Sequence, residues 1–392
     1  MVVRGVYSKE EQKMLADWRE LSDKLVGWLG EKPSNDIPYP VFHRVATKEL
    51  ITHMAGAADY WNPLWRDENY ARNTRWGGII APPFFEQCIA HGGPRFLLKI
   101  PPEVGTGRMD MRGHSFEFFY PIRLNDSFRV WIGRPEIEDI TMDVKGAPRQ
   151  FCLKPDIRYI NQKDEVVSIF HLMHTITIWP VGTRTEQPSY QFAHEWVYTP
   201  EDIAAIDRIA GAEEIRGAKI RYWEDVNVGD ELKPIVQGPL TVWDEVLEIQ
   251  GFGLAVMPIR EIRRQTPERM VIDPETQIPH KSIEFHFSDN IAKAVGSYST
   301  TLIAVTVEHF LARLVTNWMG DDGFIRIFSY MKMANTPLGD TIFGRGKVIS
   351  KYINDKGEHL VDIDVWMETS RGYISNVATV TVSLLSKEMV LA

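Results

Sequence analysis

An internal duplication constrains this chain of 392 residues more than any other feature. Residues 118–137, FFYPIRLNDSFRVWIGRPEI, resemble residues 331–350, MKMANTPLGDTIFGRGKVIS. Each segment has the pattern of a strand, a proline-containing kink, a polar turn with an aspartate, and a second strand. A separation of about 200 residues is too long for a solenoid repeat and suits two copies of one domain. The sequence therefore predicts two related domains in one chain.

Hydrophobic periodicity predicts helices upstream of antiparallel strands in both copies. The predicted helices are 8–29, 47–59, 201–216, 241–251 and 301–318. The predicted strands are 114–134 with a polar break, 155–161, 166–180, 222–232, 325–333, 341–352, 359–367 and 375–385. Thr47 and Thr241 are the expected helix caps of matching helices, and Gly320 should end the long apolar helix. A helix followed by an antiparallel sheet, present twice, predicts the α+β class.

The domain boundaries follow from a shift in composition. Residues 180–200 are polar and rich in Pro, Thr, Glu and Gln, which is typical of a linker. We predict an N-terminal domain over residues 1–185, including a helical extension, a linker over 186–216 and a C-terminal domain over 217–392.

Charge and composition exclude several classes of function. The chain has 44 Lys and Arg against 53 Asp and Glu, a net charge of −9, so we expect no nucleic-acid partner. Its two cysteines, Cys88 and Cys152, form no C-x-x-C pair and cannot make a disulfide framework. There is no run of apolar residues typical of a signal peptide or a membrane span, which predicts a cytoplasmic protein without membrane contact. No H-E-x-x-H motif indicates a metal.

The stretch AGAADYWNPLWRDENYARNTRWGGIIAPP, residues 55–83, is the most unusual in the chain. Asp59 lies where a helix gives way to a loop, so its carboxylate can face a cleft. Gly78 permits close backbone approach, and Pro83 is suited to the first position of a helix. The amide groups after such a proline are free to hold a thioester carbonyl that gains negative charge.

Each of these residues also has a purely structural interpretation. Asp59 can cap its helix, and Asn62-Pro63 is a turn signal. The tryptophans of this stretch can be core residues or walls of a pocket for a bulky acyl group. The histidines His91, His171, His174 and His309 are interpreted as structural or surface residues.

The same stretch resembles the MaoC-like dehydratases, the (R)-specific enoyl-CoA hydratases of hot-dog fold, whose motif is roughly G-D-x-N-P-L-H followed by a proline-containing loop and a central helix. The resemblance also includes RYWEDVNVGDEL and TNWMGDDGF in the second half. It implies a double hot-dog, in which a curved antiparallel sheet wraps each long helix and the two halves pair as an internal pseudo-dimer. It further implies reversible addition of water to a 2-enoyl-CoA by an Asp and a His that share one water, with CoA only as the substrate's carrier and no cofactor.

The chain departs from the family motif in both halves. Trp65 stands at the histidine position and Tyr60 at the aspartate position, with Asp59 beside it. In the second half His286 falls on the catalytic histidine, but Lys281 stands at the aspartate position. Neither half has a complete pair, so we predict a composite site. In it, His286 acts with Glu284 or Asp273, or Asp59 acts alone; a Glu two residues from a His on a strand would share its face.

Two further sets complete the predicted site. The predicted substrate-binding residues are Tyr60, Trp61, Asn62, Trp65, Gly78, Pro83 and Phe84. Arg260, Arg263 and Arg264 belong to the densest basic cluster of the chain, which is either a solvated helix face or a grip for the CoA phosphates.

The leading hypothesis is a lyase of the enoyl-CoA hydratase or 3-hydroxyacyl-CoA dehydratase type. One alternative is a non-catalytic or partner-dependent protein of the same fold that binds acyl-CoA. The other is a different lyase reaction on a CoA ester. The chain is predicted to form an internal pseudo-dimer, and two such chains can in addition form a homodimer.

Overall fold

The structure is a computed structural model in which residues 2–29, 41–90, 98–181, 196–253, 259–265, 270–297 and 299–390 are described. It divides into two compact units. Unit 1 comprises Met1–Ala46, Glu86–Glu186 and Arg326–Lys332, and unit 2 comprises Thr47–Phe85, Gln187–Ile325 and Met333–Ala392. Each unit is thus assembled from separate segments of the chain. The domain boundaries at 185 and 217 stay a prediction.

The long helices and strands follow the predicted order. The helices are α1 (Lys9–Leu25), α2 (Lys48–Ala58), α3 (Glu68–Arg72), α4 (Glu86–Ile89), α5 (Pro200–Gly211), α6 (Val242–Gly251), α7 (Ile259–Gln265), α8 (Asp289–Ala294), α9 (Ala304–Met319) and α10 (Lys387–Val390). The strands are β1 (Gly27–Trp28), β2 (Thr106–Phe118), β3 (Phe128–Ile132), β4 (Glu136–Asp139), β5 (Arg149–Lys154), β6 (Asp156–Asn161), β7 (Val166–Trp179), β8 (Ile235–Gln237), β9 (Met270–Ile272), β10 (Pro279–Lys281), β11 (Phe324–Lys332), β12 (Ile342–Ile353), β13 (His359–Thr369) and β14 (Ile374–Ser383). The short elements α3, α7, α8, α10, β1, β4, β5, β8, β9 and β10 were not predicted. The predicted α+β class, with long antiparallel strands, is confirmed.

Unit 1 is built on an antiparallel sheet. Its strands run in the order β1-β3-β6-β7-β2, and β5 also pairs with β7 and carries β4. Residues 327–331 of β11 pair with β2 in the register Ile327↔Glu117 to Met331↔Gly113. Inward-facing residues of β3 alternate with exposed or half-exposed ones, as expected for a sheet with one buried face.

Helix α1 packs on the unit 1 sheet. Ser8 caps it in a capping box with Glu11, and Trp18 packs edge-on against Phe151 of β5. The predicted end of this helix near Leu29 is wrong. Gly27 has a φ of +131°, which is incompatible with an α-helix, and the chain there becomes β1.

Unit 2 surrounds α9 with an antiparallel sheet in the order β14-β13-β12-β8. The caps Thr47 and Thr241 accept hydrogen bonds at the starts of α2 and α6, as predicted. The two helices pack closely, and a Cβ added at Gly251 would lie 2.5 Å from the Cβ of Ala57. Gly320 ends α9 with a φ of +74°, as its position predicted.

Two other local predictions are wrong. Residues 222–232 do not form a strand; Trp223–Asp225 is a 3-10 helix and Gly229 turns the chain with a φ of +98°. The helix after the double proline begins at Glu86 and not at Pro83, because Phe84 has a φ of +69°, outside the α-helical region. Among the described residues, no helix has the length and apolar character that a bilayer crossing requires.

Candidate active site along helix α9

A line of polar side chains runs along the otherwise apolar helix α9. Nearly all residues of this helix are buried. Thr306, His309, Arg313 and Asn317 follow one another at three- and four-residue steps, so they share one face of the helix. We call these four residues the polar stripe. Buried polar groups are costly without partners, so the groups that meet the stripe show what it is built for.

Helix α6 turns acidic residues toward the stripe. Glu245 and Glu248 are buried, whereas Trp243 and Leu247 on the same helix are exposed, Trp243 to 70%. An ordinary surface helix has the opposite arrangement. Burial of carboxyl groups in place of large apolar side chains costs free energy, and this cost favours a functional interpretation of the acidic face.

The two carboxyl groups bond to the first half of α9. Glu245 accepts hydrogen bonds from the backbone N–H of Ile303, at 3.2 and 3.1 Å to its two oxygens, and from the Thr306 hydroxyl at 3.3 Å. Glu248 forms a very short hydrogen bond with Nδ1 of His309. The α9 N-terminus, which lacks a side-chain cap of its own, thus receives a carboxyl group from α6.

The first copy of the repeat carries no such acids. Counted from the caps Thr47 and Thr241, the positions of Glu245 and Glu248 correspond to Ile51 and Met54 of α2. Both apolar residues are fully buried. Helix α2 therefore packs with apolar side chains at the two positions where α6 has carboxyl groups. The carboxyl groups of the other half are a specific addition, and packing alone does not explain them.

Burial and charge change the pKa values of this group. Burial, followed by the nearby charge of Glu248, raises the pKa of Glu245 to about 8, against the lowering effect of the Ile303 N–H. Burial alone would lower the pKa of His309, but the charge of Glu248 and the hydrogen bond to it raise the pKa above its ordinary value. Nε2 of His309 is buried and has no hydrogen-bond partner among the described residues.

Asp59 brings a third carboxyl group from the end of α2. It is buried, and the Trp65 indole donates a hydrogen bond of 3.2 Å to its Oδ2. Burial raises the pKa of Asp59, while Trp65 and the positive charge of Arg313 partly oppose the rise. Asp59 is also the C-cap residue of α2, so its structural interpretation holds for the backbone and leaves the carboxyl group available.

Arg313 connects Asp59 to the polar stripe. Its Nε lies 3.2 Å from Oε1 of Glu213, which also accepts a hydrogen bond of 2.8 Å from the Asn317 amide. His309 precedes Arg313 by one helical turn on the same face. The positive charge of Arg313 partly opposes the rise in the pKa of Asp59, and α2, which Asp59 ends, packs against α9.

The loop after the motif also reaches α9. Phe84 is fully buried, and its ring centroid lies 5.9 Å from that of His309. A bulky residue with a φ of +69° is strained, and such strain is common where a segment serves function. The predicted site residue Phe84 therefore touches the polar stripe.

The remaining predicted residues of the motif separate into buried and exposed ones. Asn62 is buried and its Oδ1 accepts a hydrogen bond from the Leu64 N–H, which caps the 3-10 helix Pro63–Trp65. Tyr60 and Trp61 are exposed to 50% and 77%, and their rings meet edge to face with centroids 4.7 Å apart. Trp61 is therefore not a buried wall. Gly78 and Pro83 are half-buried.

The predicted pairing of His286 with Glu284 is not what the structure shows. Residues Ser282–His286 form a 3-10 helix and not a strand, so side chains two residues apart do not share a face. Glu284 instead bonds to Nδ1 of His280 at 2.6 Å, while Nδ1 of His286 donates to the Thr301 carbonyl at 2.6 Å. The other proposed partner, Asp273, accepts the backbone N–H groups of its own turn.

The predicted CoA-binding arginines lie on the short helix α7. Arg260, Arg263 and Arg264 are exposed. His91 lies outside the described residues. Among the described residues no cluster of three or more His, Cys, Asp or Glu could hold a metal ion.

The sequence prediction missed Glu245, Glu248 and His309. One signal was available, because VWDEVLEIQG places two acids three residues apart on the face that Ile51 and Met54 occupy in the first copy. His309 itself gave no signal, since its partner lies 61 residues away in sequence.

Comparison with known proteins shows which family and which solved structures the chain is similar to. Residues 39–169, which include Asp59, Trp65 and Phe84, match the family described as FAS1-like, dehydratase domain region. A solved structure described as a MaoC-like dehydratase shares 16% identity at a TM-score of 0.58 and covers 89% of this chain and 98% of its own. The resemblance to MaoC-like dehydratases is confirmed. Helices α6 and α9 lie outside the matched region.

Other solved structures align over similar lengths. A MaoC domain dehydratase from Chloroflexus aurantiacus J-10-fl shares 10% identity at a TM-score of 0.51, covering 87% of this chain and 92% of its own. A conserved hypothetical protein from Mycobacterium tuberculosis, described as having a double hotdog fold, shares 11% identity at a TM-score of 0.46. The alignment covers 86% of this chain and 92% of its own. The predicted double hot-dog fold of the MaoC-like dehydratases is confirmed by the alignments with TM-scores of 0.58 and 0.51. No curated protein sequence matches the chain.

Proposed function

We propose that the protein is a lyase that hydrates or dehydrates an acyl-CoA thioester in the cytoplasm. The observation that carries this proposal is Asp59. It is a buried carboxyl group with a raised pKa, it lies in the region that matches the dehydratase family, and it is influenced by the charge of Arg313 in the polar stripe of α9.

Elimination of water from a 3-hydroxyacyl thioester requires a base for the α-proton and an acid for the departing hydroxyl. A buried carboxyl group with a raised pKa binds protons more tightly than an exposed one, which brings its pKa nearer to that of the reacting group. Asp59 is suited to take the α-proton, and Trp65 holds its carboxylate in place. His286, at the position of the family's histidine, stays a candidate second group, with Glu284 acting on it only indirectly, since it bonds to His280.

The other predicted residues have roles in binding. Tyr60 and Trp61 stand exposed next to the buried Asp59, where they can contact the acyl-CoA. The exposed arginines of α7 supply positive charge to a chain of net charge −9 and are suited to the CoA phosphates. Because the chain supplies both hot-dog halves as an internal pseudo-dimer, a partner chain is not needed for the second half, and a homodimer is compatible with the proposal.

A second candidate is an acyl-CoA-binding protein without turnover. The observation that favours it is Trp65, because an indole at the histidine position cannot exchange a proton with a water. A different lyase reaction on a CoA ester is the third candidate.

The test is turnover of a panel of enoyl-CoA esters: crotonyl-CoA, 2-decenoyl-CoA and cinnamoyl-CoA. Loss of the ultraviolet absorption of the enoyl thioester reports hydration. We expect turnover of at least one ester, and a fall in kcat of about 100-fold or more for Asp59→Asn. The matched control is Asp67→Asn, since Asp67 is an exposed helix cap that Asn can replace. Binding of these esters without turnover would reject the lyase in favour of the binding protein.

A further inference from the structure

We propose that His309, oriented by Glu248, is the acid that protonates the departing hydroxyl, and that the proton leaves from Nε2. This inference rests on the proposed function and names a second catalytic group for it. The pair belongs to helices α6 and α9, outside the region that matches the dehydratase family and away from the family's motif positions.

The first step of the argument is the state of the imidazole ring. Nδ1 is held by the Glu248 carboxylate, so Nε2 is the ring nitrogen left for exchange with a ligand. A carboxylate on one nitrogen fixes the orientation of the ring and stabilises its protonated form. A histidine with only a structural role would be expected to satisfy both nitrogens, yet Nε2 is buried without a hydrogen-bond partner among the described residues.

The second step is that the fold does not require Glu248. Met54 occupies the corresponding position of α2 and is fully buried. A buried ion pair contributes little net stability compared with well-packed apolar residues. Retention of a carboxylate and an imidazole at this place is therefore explained by their chemistry.

The third step is the relation of His309 to Asp59. Asp59 ends α2, which packs against α9, and the charge of Arg313, one turn further along α9 than His309, partly opposes the rise in the pKa of Asp59. A base and an acid on one side of a thioester are the two groups that elimination needs.

The loop residue Phe84 packs next to His309. Its ring lies against the His309 ring, and its backbone is held at a φ of +69°. A strained backbone conformation next to a buried imidazole is typical of segments that serve function.

The proposed reaction is balanced in protons and electrons. The Asp59 carboxylate takes the proton from the α-carbon of the 3-hydroxyacyl thioester, and the electron pair of that bond forms the double bond. The bond between the β-carbon and oxygen breaks, and the oxygen takes the proton from Nε2 of His309 and leaves as water. Loss of a proton from Asp59 to solvent and gain of one by His309 restore the starting state.

The groups that set the protonation of His309 come from two elements. Glu248 acts on it from α6 through its hydrogen bond and its charge, and Glu308 acts on it through its charge from α9 itself. Glu248 is the dominant one, so its replacement by a neutral amide should lower the pKa of His309.

The experiment compares His309→Gln and Glu248→Gln with the wild-type chain in dehydration of 3-hydroxybutyryl-CoA. We expect His309→Gln to lower kcat by about 100-fold or more. Since the proposed acid works in its protonated form, the rate of the wild-type chain falls as pH rises through the pKa of His309. In Glu248→Gln this alkaline limb should move to lower pH, which a merely structural pair would not produce.

The matched control is His171→Gln, because both nitrogens of His171 are bonded by carboxylates, Asp156 and Glu117, at 2.6 and 2.9 Å. Its kcat should stay within about twofold of wild type. Nitrogen-15 NMR of histidine-labelled protein gives the pKa of His309 directly and verifies that both variants are folded.

The outcomes separate the inference from the proposed function. If the wild-type chain turns over the thioesters, while folded His309→Gln keeps its rate and Glu248→Gln keeps its alkaline limb, the assignment of His309 is wrong and the lyase stands. If the wild-type chain turns over no thioester, the lyase and the assignment fall together.

Discussion

At the scale of single residues, burial raises the pKa values of several carboxyl groups in this protein. The pKa of Glu245 is raised to about 8 and that of Glu86, at the start of α4 in unit 1, to about 7, each mainly by burial. Both groups therefore hold a proton in the folded protein at pH values where the unfolded chain has lost it. Folding thus becomes linked to proton binding.

This linkage predicts that stability falls as pH rises. Between about pH 4.5 and about pH 8 the folded chain binds the Glu245 proton and the unfolded chain does not, so the free energy of unfolding decreases with pH. The slope is at most about 1.4 kcal/mol per pH unit for each such group. Urea denaturation at about pH 5 and about pH 8 should show this decrease, and Glu245→Gln should reduce it.

The exposed Glu103 supplies the control for this measurement, since Glu103→Gln should leave the pH dependence unchanged. Glu86→Gln should remove only the share of the decrease that Glu86 contributes between about pH 4.5 and about pH 7, and leave the share of Glu245. An unchanged slope in Glu245→Gln would show that Glu245 is ionised in the folded protein.

At the scale of elements, the contact between α2 and α6 depends on the absence of a side chain. A Cβ on Gly251 would lie 2.5 Å from the Cβ of Ala57 and 3.5 Å from the His53 carbonyl oxygen, whereas one on Gly56 would meet nothing within 4 Å. Both glycines lie in the helices, so both replacements gain helix propensity.

Opposite effects are therefore expected from two alanine substitutions. Gly251→Ala should lower the free energy of unfolding by about 1–3 kcal/mol because the helices must separate. Gly56→Ala should raise it by about 0.5–1 kcal/mol, since alanine restricts the unfolded chain and fits the helix. Thermal and urea denaturation of the two variants measure both values, and equal effects would contradict the close approach at Gly251.

Several elements could be predicted from local sequence. Thr47 and Thr241 mark the starts of α2 and α6 because a cap acts within three residues of itself. The strand between residues 222 and 232 and the helix start at Pro83 were wrong because the backbone at Gly229 and Phe84 turns through positive φ. The conformation of Phe84 depends on its packing against distant residues, which no local pattern contains.

At the scale of the whole molecule, the segments that make up each compact unit do not coincide with the two halves of the sequence. Unit 1 takes residues 326–332 from a place far along the sequence, and this part of β11 pairs with β2. A fragment that ends at the predicted boundary 185 lacks that strand. Its β2 would then expose unpaired backbone groups over Gly113–Glu117.

We therefore expect the fragment 1–185 to associate or remain partly unfolded, unlike the full chain. Size-exclusion chromatography and light scattering report the association. Cys88 and Cys152, both buried in unit 1, should react slowly with a thiol reagent in the full chain and quickly in the fragment. A monomeric fragment with protected thiols would instead support residues 1–185 as an independent domain.

The sequence by itself determined the α+β class, the repetition, the long helices and strands, and Asp59 as a candidate catalytic residue. These follow from periodicity, caps and motifs, whose physical causes act between near neighbours. Only the tertiary structure decided which acids and bases meet. Glu248 and His309 lie 61 residues apart, and Glu245 lies 58 residues from the Ile303 N–H. Such partners are brought together by the packing of α6 on α9, which depends on the whole core.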